Sequence, residues 1–251
     1  MIDNTYGEFA DYFDYLNGDA QYQKRTKYML ELFDKFGTRP KILLDLACGT
    51  GEFSVRFAKK GFEVIAVDCS ENMLAVARDK AQSSRQDILF LCQRAEELDL
   101  YGTVGGAVCC FDSINHIIDI PTLTKALKRV SLFLEPDGLF IFDVNTVNKH
   151  QNTLGNNTFV YNEDDVYFVW NNEYNNKNRT VNINLDIFKS MGNDEYKRIK
   201  QNIVERAYTQ DELDKMLKKA GLEILAVYDD MSFNMPTEQS QRIYYVTKKV
   251  K

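Results

Sequence analysis

Residues 41–61 read KILLDLACGTGEFSVRFAKKG: an apolar run, a bare glycine turn, then an amphipathic stretch that stops at Gly61. The run Lys41–Ala47 is nearly continuous in its apolar character, which suits a strand buried on both faces better than one with a wet face. The stretch after the turn reads as a helix with Gly61 as its stop signal. Strand, tight turn and helix in that order open an α/β unit.

Working outward, the same alternation continues. FEVIAV (62–67) reads as a second strand, and SENMLAVARDKAQ (70–82) as a helix with Ser70 as N-cap. DILFLCQ, GAVCCF and GLFIFDV supply three more strands. The helix PTLTKALKRVSLFL precedes the last of them and is stopped by Pro136 and Gly138. Such units build a parallel sheet with helices on both faces, and ligands sit beyond the carboxyl ends of its strands. Gly49, Asp68, Glu96 and Asp112 all fall at such ends, as one site requires.

The character changes after Thr146. Residues 155–207 are rich in Asn, Tyr, Val and Ile, alternate with period two, and carry turn signals at NNKN and MGND. They are expected to form an antiparallel β meander, inserted as a lid or acceptor wall in a single domain spanning 1–251. Residues 210–229 return to helix, glycine stop and strand, and QRIYYVTKK closes with a strand. Residues 1–36 are expected to form a helical cap, in which Tyr6, Phe9, Tyr12, Phe13 and Leu16 share one face.

Composition narrows the function classes. The 251 residues carry a net charge of -6 with scattered Lys and Arg, which argues against a broad nucleic-acid footprint. No apolar run approaches the roughly 20 residues of a membrane span, and the acidic N-terminus lacks the pattern of a secretory signal. Five cysteines without a C-x-x-C pair read as reduced thiols of a cytoplasmic protein. With only two histidines, His116 and His150, a zinc site is not expected.

The glycine turn discriminates between cofactors. Dinucleotide enzymes want G-x-G-x-x-G, whose third glycine allows close packing; here that position is Ser54. Asp45 precedes the turn, where a carboxylate would sit badly against a pyrophosphate but suits a ligand with an amino group and no phosphate. DLACGTG resembles the first motif of the class I S-adenosylmethionine-dependent methyltransferases, and AVDCSENML resembles their second. The resemblance runs on through VCCFDSINHI, LEPDGLFIFDVNT and ERAYTQDELDKMLKKAGLEI, over nearly the whole chain. It is closest to small bacterial members with an N-terminal Y-x-x-F-A helix and a β-rich insertion after the fifth strand.

That resemblance implies a Rossmann-like, seven-stranded, mostly parallel sheet with an antiparallel last strand, and S-adenosylmethionine as cofactor. It implies that Asp45 orients the ammonium, that Ala47, Gly49 and Gly51 pass under the methionine part, and that Asp68, beside Cys69, holds the ribose hydroxyls. Met73, Ala95 and Glu96 would flank the adenine; Arg94 and Gly106 depart from the acidic residues common there. Phe111 would form the floor, with Asp112, Asn115 and His116 near the transferable methyl, and His116 and Asp112 as the catalytic candidates. At the N-terminus Phe13 stands where relatives carry Tyr, so a phenol contact would pass to Tyr6 or Tyr12. Trp170 and Tyr174 in the meander would wall the acceptor.

The expected activity is methyl transfer to a nitrogen or oxygen of a small molecule. An RNA or protein methyltransferase would need a basic rim, and a non-catalytic S-adenosylmethionine-binding protein is the third reading. Ser54 and Asp45 both count against a nicotinamide-dependent reductase.

Overall fold

A computed structural model describes residues 7–18, 20–163 and 165–250. Five strands alternate with helices along the first part of the chain: β1 (Ile42–Leu46), β2 (Glu63–Asp68), β3 (Ile88–Cys92), β4 (Val104–Cys109) and β5 (Leu134–Asn145). With β10 (Leu222–Asp229) and β11 (Arg242–Lys249) they form one sheet of order β10-β11-β5-β4-β1-β2-β3. β11 runs antiparallel to both its neighbours, and the pairs β1–β2, β2–β3, β1–β4 and β4–β5 are parallel. The order turns back between β1 and β4, which is where ligands bind in sheets of this kind.

The helices are α1 (Phe13–Leu16), α2 (Tyr22–Lys35), α3 (Glu52–Ala58), α4 (Glu71–Ser83), α5 (Ile120–Phe133) and α6 (Gln210–Lys219). Two apolar cores explain the unbroken hydrophobicity of the central strands. Phe140, Phe142 and Val144 of β5 face a core shared with Leu123, Leu127 and Leu217 of α5 and α6. Leu139 and Ile141 face the opposite core, with Leu32 of α2 and Phe57 of α3. Each such side chain contributes about 1.5–3 kcal/mol by leaving water, so neither face tolerates polar alternation. Ser70 caps α4, as its position before the apolar period suggests, accepting from Met73 N–H at 3.3 Å. β5 starts earlier than expected: Pro136 and Gly138 lie inside it, at a register shift against β4 where Asp137 turns left-handed (φ 64°).

The insertion forms a second sheet of order β6-β7-β8-β9, all antiparallel: β6 (Thr158–Glu163), β7 (Val166–Asn175), β8 (Thr180–Gly192) and β9 (Glu195–Arg206). Its buried face carries Phe168, Ile183, Leu185 and Ile187, and packs with Phe9, Tyr12 and Met73 into a third core. The N-terminal segment is thus clamped between α4 and the insertion. Among the described residues no helix is long and apolar enough to cross a membrane.

Candidate active site

β1 delivers the chain into a turn of left-handed residues, with φ 56° at Ala47, 54° at Gly49 and 76° at Gly51. A Cβ added to Gly49 would meet no atom within 4 Å, because the turn there borders a cavity of about 560 Å³. Gly51 has a different reason to be glycine. Its Cβ would lie 2.8 Å from that of Ala77, so its bareness lets α3 start against α4. The expectation that Gly51 clears space for a ligand is corrected: it clears space for a helix.

Asp45 lines this cavity and is 1% exposed. Its Oδ2 accepts from the Ser54 hydroxyl, while Oδ1 has no partner among the described residues. Burial pushes its pKa up to about 7; the Ser54 hydrogen bond opposes the shift and Asp68 adds to it. Ser54, in the third-glycine position, therefore has a task of its own. Asp68 accepts from Gly49 N–H and from Ser70 N–H, both at 2.9 Å. It joins the glycine turn to the start of α4 while bordering the cavity, with burial raising its pKa against those two bonds.

Cys69, Met73, Ala95 and Glu96 continue the lining from Asp68. Arg94 donates to Glu96 at 2.7 Å and so offsets the charge of the neighbouring carboxylate. On the other side Thr50 donates to Asp14 at 2.7 Å, and Lys80 bridges Asp14 and Glu52. These bonds latch α1 to the glycine turn and bring Phe13 to the cavity. Tyr12 goes elsewhere, into the third core with the Lys189 ammonium 5.7 Å from its ring centroid. Tyr6 lies outside the described residues. The cavity also takes Tyr22, at the start of α2, packed edge-on against Phe53 and tilted on Phe111. Its hydroxyl is buried without a partner among the described residues, and burial raises its pKa far above the usual phenol range. Tyr22 lies in a polar connecting stretch, and no motif in the sequence marks it.

Past β4 the backbone turns left-handed twice, at Phe111 (φ 61°) and Asp112 (φ 54°). Asp143 holds the turn, accepting from both N–H groups at 2.6 and 2.9 Å. Arg242 pairs with Asp143 and, at 3.1 Å, with Asp112, and stacks 5.0 Å from the Phe111 ring centroid. Asp112 also accepts from Asn145. Its carboxylate is thereby committed to the fold, which corrects the expectation of Asp112 as a catalytic candidate. Asn115 is corrected likewise. Fully buried, it donates to the carbonyls of Asn145 (3.1 Å) and Arg206 (2.9 Å) and accepts from Asn145 N–H. His116, at the end of the short turn Ser113–His116, remains on the lining.

A further wall comes from β9, through Asn202, Ile203 and Val204. Trp170 and Tyr174 stand on β7, two strands away in the sheet, so their expected place at the acceptor is corrected. The Trp170 indole donates to Asn172 at 2.6 Å and packs on Phe159. The cavity-lining stretch of β9, Asn202–Val204, carries no aromatic or motif signal, and attention to the large rings passes over it.

Residues 43–138 match the methyltransferase domain family. A putative methyltransferase of Bacillus subtilis strain 168 is 33% identical over 98% of both chains. A putative methyltransferase of Geobacillus sp. strain WCH70 is 30% identical over 98% of this chain and 100% of its own. The crystal structure of an S-adenosylmethionine-dependent methyltransferase from Clostridium acetobutylicum superposes with a TM-score of 0.89 at 33% identity, covering 98% of this chain and 99% of the other. The chain belongs to the S-adenosylmethionine-dependent methyltransferases. It is an enzyme of that class, with S-adenosylmethionine as its cofactor.

Proposed function

We propose that the protein transfers the methyl group to a nitrogen or oxygen of a small molecule, seated between His116 and the β9 wall. The observation that carries this is the lining of the cavity. A volume of about 560 Å³ is that of a small-molecule site. Its acceptor end is walled by Ile117, Ile118, Ile203 and Val204. Its acidic lining, with Asp45, Glu52, Asp68, Glu96 and Asp119, includes one arginine, Arg94, already paired to Glu96. RNA binding draws on rows of Lys and Arg against phosphates, which this lining does not offer. Incubating the protein with cofactor labelled in its methyl group and with a whole-cell extract should therefore label the small-molecule fraction. Label arriving in RNA or protein would replace this reading. Ile203→Trp, which fills the acceptor end, should leave cofactor affinity within a few-fold and abolish transfer; an active variant would move the acceptor elsewhere.

The residues lining the cavity fit the cofactor. The unpartnered Asp45 oxygen offers an acceptor to an ammonium, open space at Gly49 lets a ligand lie on the backbone, and Asp68 presents a carboxylate toward hydroxyls. The sulfonium supplies a methyl group already activated for in-line displacement. What remains for the protein is to align the acceptor, exclude water and take up a proton. Phe13 and Phe111 keep the site apolar, and His116 is the proton acceptor on its lining. With Asp45 titrating near 7, cofactor affinity should rise about fivefold from pH 6 to pH 7, as the carboxylate that pairs with the ammonium forms. Calorimetry checks this. Asp45→Asn should bind more weakly with a flat profile, and the same slope in that variant would remove Asp45 from the ammonium.

A further inference from the structure

The chain has two histidines, and both converge on one carboxylate. Glu205, near the end of β9, lies 3.7 Å from His116 Nε2 through Oε1 and 3.0 Å from His150 Nε2 through Oε2. The side chains of Glu205 and His150 are 7% and 0% exposed, whereas that of His116 is 31% exposed and borders the cavity. His150 is carried by the π-helical turn Lys149–Leu154 that follows β5, and its Nδ1 stands 3.0 Å from the Thr146 carbonyl.

We propose that Glu205, fixed by His150, is the positioning residue for His116, setting which ring nitrogen takes the proton and steadying the imidazolium that results; this rests on His116 being the proton acceptor. The proton positions follow from the partners. A carbonyl only accepts, so His150 Nδ1 carries a proton. Glu205 is ionised: burial alone would raise its pKa, yet the His150 hydrogen bond and the charges of His116, His150 and Lys149 hold it down at about 2. An ionised carboxylate also only accepts, so it takes the hydrogen bond from His150 Nε2. A carboxylate buried in this way seldom stabilises a fold beyond what an apolar pair would contribute. This one aims its second oxygen at the imidazole on the cavity wall.

At 3.7 Å that contact is longer than a hydrogen bond and acts on the ring through the carboxylate's charge. The charge favours a proton on Nε2 of His116, leaving Nδ1 as the base, and it favours the imidazolium once the acceptor's proton has moved. Other charged groups share the surroundings. Asp68 at the end of β2 is coupled electrostatically to His116. Asp119 borders the same cavity, Lys149 donates to Asn145 at 2.9 Å, and Arg206 turns toward the Ile118 carbonyl and Glu212.

Steady-state kinetics across about pH 5.5–9 with a methyl acceptor from the labelling screen test the proposal, using the full chain and the variants Glu205→Gln, Glu205→Asp, His116→Ala and Glu205→Gln/His116→Ala. Glu205→Gln should lower kcat about tenfold or more with KM within a few-fold, and should move the acid limb of the profile to lower pH, since a neutral amide no longer favours the imidazolium. Glu205→Asp keeps the charge and should hold the limb near its original place. The double variant should be no slower than His116→Ala, because both changes act through one imidazole. An unchanged rate and limb in Glu205→Gln, or additive losses in the double variant, overturns the proposal while a slow His116→Ala keeps His116 as the base. A fully active His116→Ala removes the base itself, and the proposal with it. Should Glu205 variants not fold, nitrogen-15 NMR of the wild-type imidazoles decides: neutral His116 with its proton on Nε2 supports the proposal, and a proton on Nδ1 overturns it.

Discussion

Arg242→Met should destabilise the fold by about 3–5 kcal/mol, measured as the change in unfolding free energy in urea. The guanidinium is 6% exposed and sits between Asp112 and Asp143, themselves 13% and 1% exposed. Burial works against its charge, but the two carboxylates more than offset that and raise its pKa further. Removing it leaves two carboxylates in a low-dielectric interior with one amide, Asn145, and two backbone N–H groups as their named donors. The damage should reach the site as well. Asp143 holds the left-handed turn that presents Phe111, so cofactor affinity should fall in the folded fraction. Adding Asp112→Asn should recover part of the stability by removing one of the stranded charges. A loss below about 1 kcal/mol would mean that the cluster is solvated enough to do without its cation.

His116→Ala should lower the single-turnover methyl-transfer rate by roughly 100-fold or more and keep cofactor affinity within a few-fold, since general-base help is worth about 10²–10⁴ in rate. His116→Asn should behave almost the same, because an amide keeps polarity but cannot take the proton. A structural role predicts the reverse pattern, a lower melting temperature with intact specific activity. Running the melt beside the rate assay separates the two, and full turnover in a folded variant ends the assignment.

Local signals carried much of the fold into view. The glycine turn behind an apolar run, the Ser70 cap and the period-two stretch after residue 155 depend on neighbours within a few residues, and all appear as structure. The cavity side of β1 and β2 was legible for the same reason, since Asp45, Gly49 and Asp68 sit at strand ends. What escaped depends on contacts across the chain. Gly51 needs Ala77, and Asp112 needs Arg242. Loop acids near a methyl site look alike in sequence whether they face the ligand or a buried arginine. The acceptor wall was assigned to Trp170 and Tyr174 because they are large, but sheet order decides which strand borders the body, and order is not written in periodicity.

Asp45 also bears on how long the protein lasts. A carboxyl whose pKa rises from 3.8 to about 7 on folding gives its full stability only below the lower value, and that contribution is lost as pH rises through about 7. At neutral pH the ligand-free fold therefore carries a partly ionised group that the described residues do not fully partner. On the proposed reading, an ammonium on that oxygen would remove the liability, over and above the stabilisation any ligand gives by binding only the native state. Starved of cofactor, the chain should open more often and fall to proteases sooner.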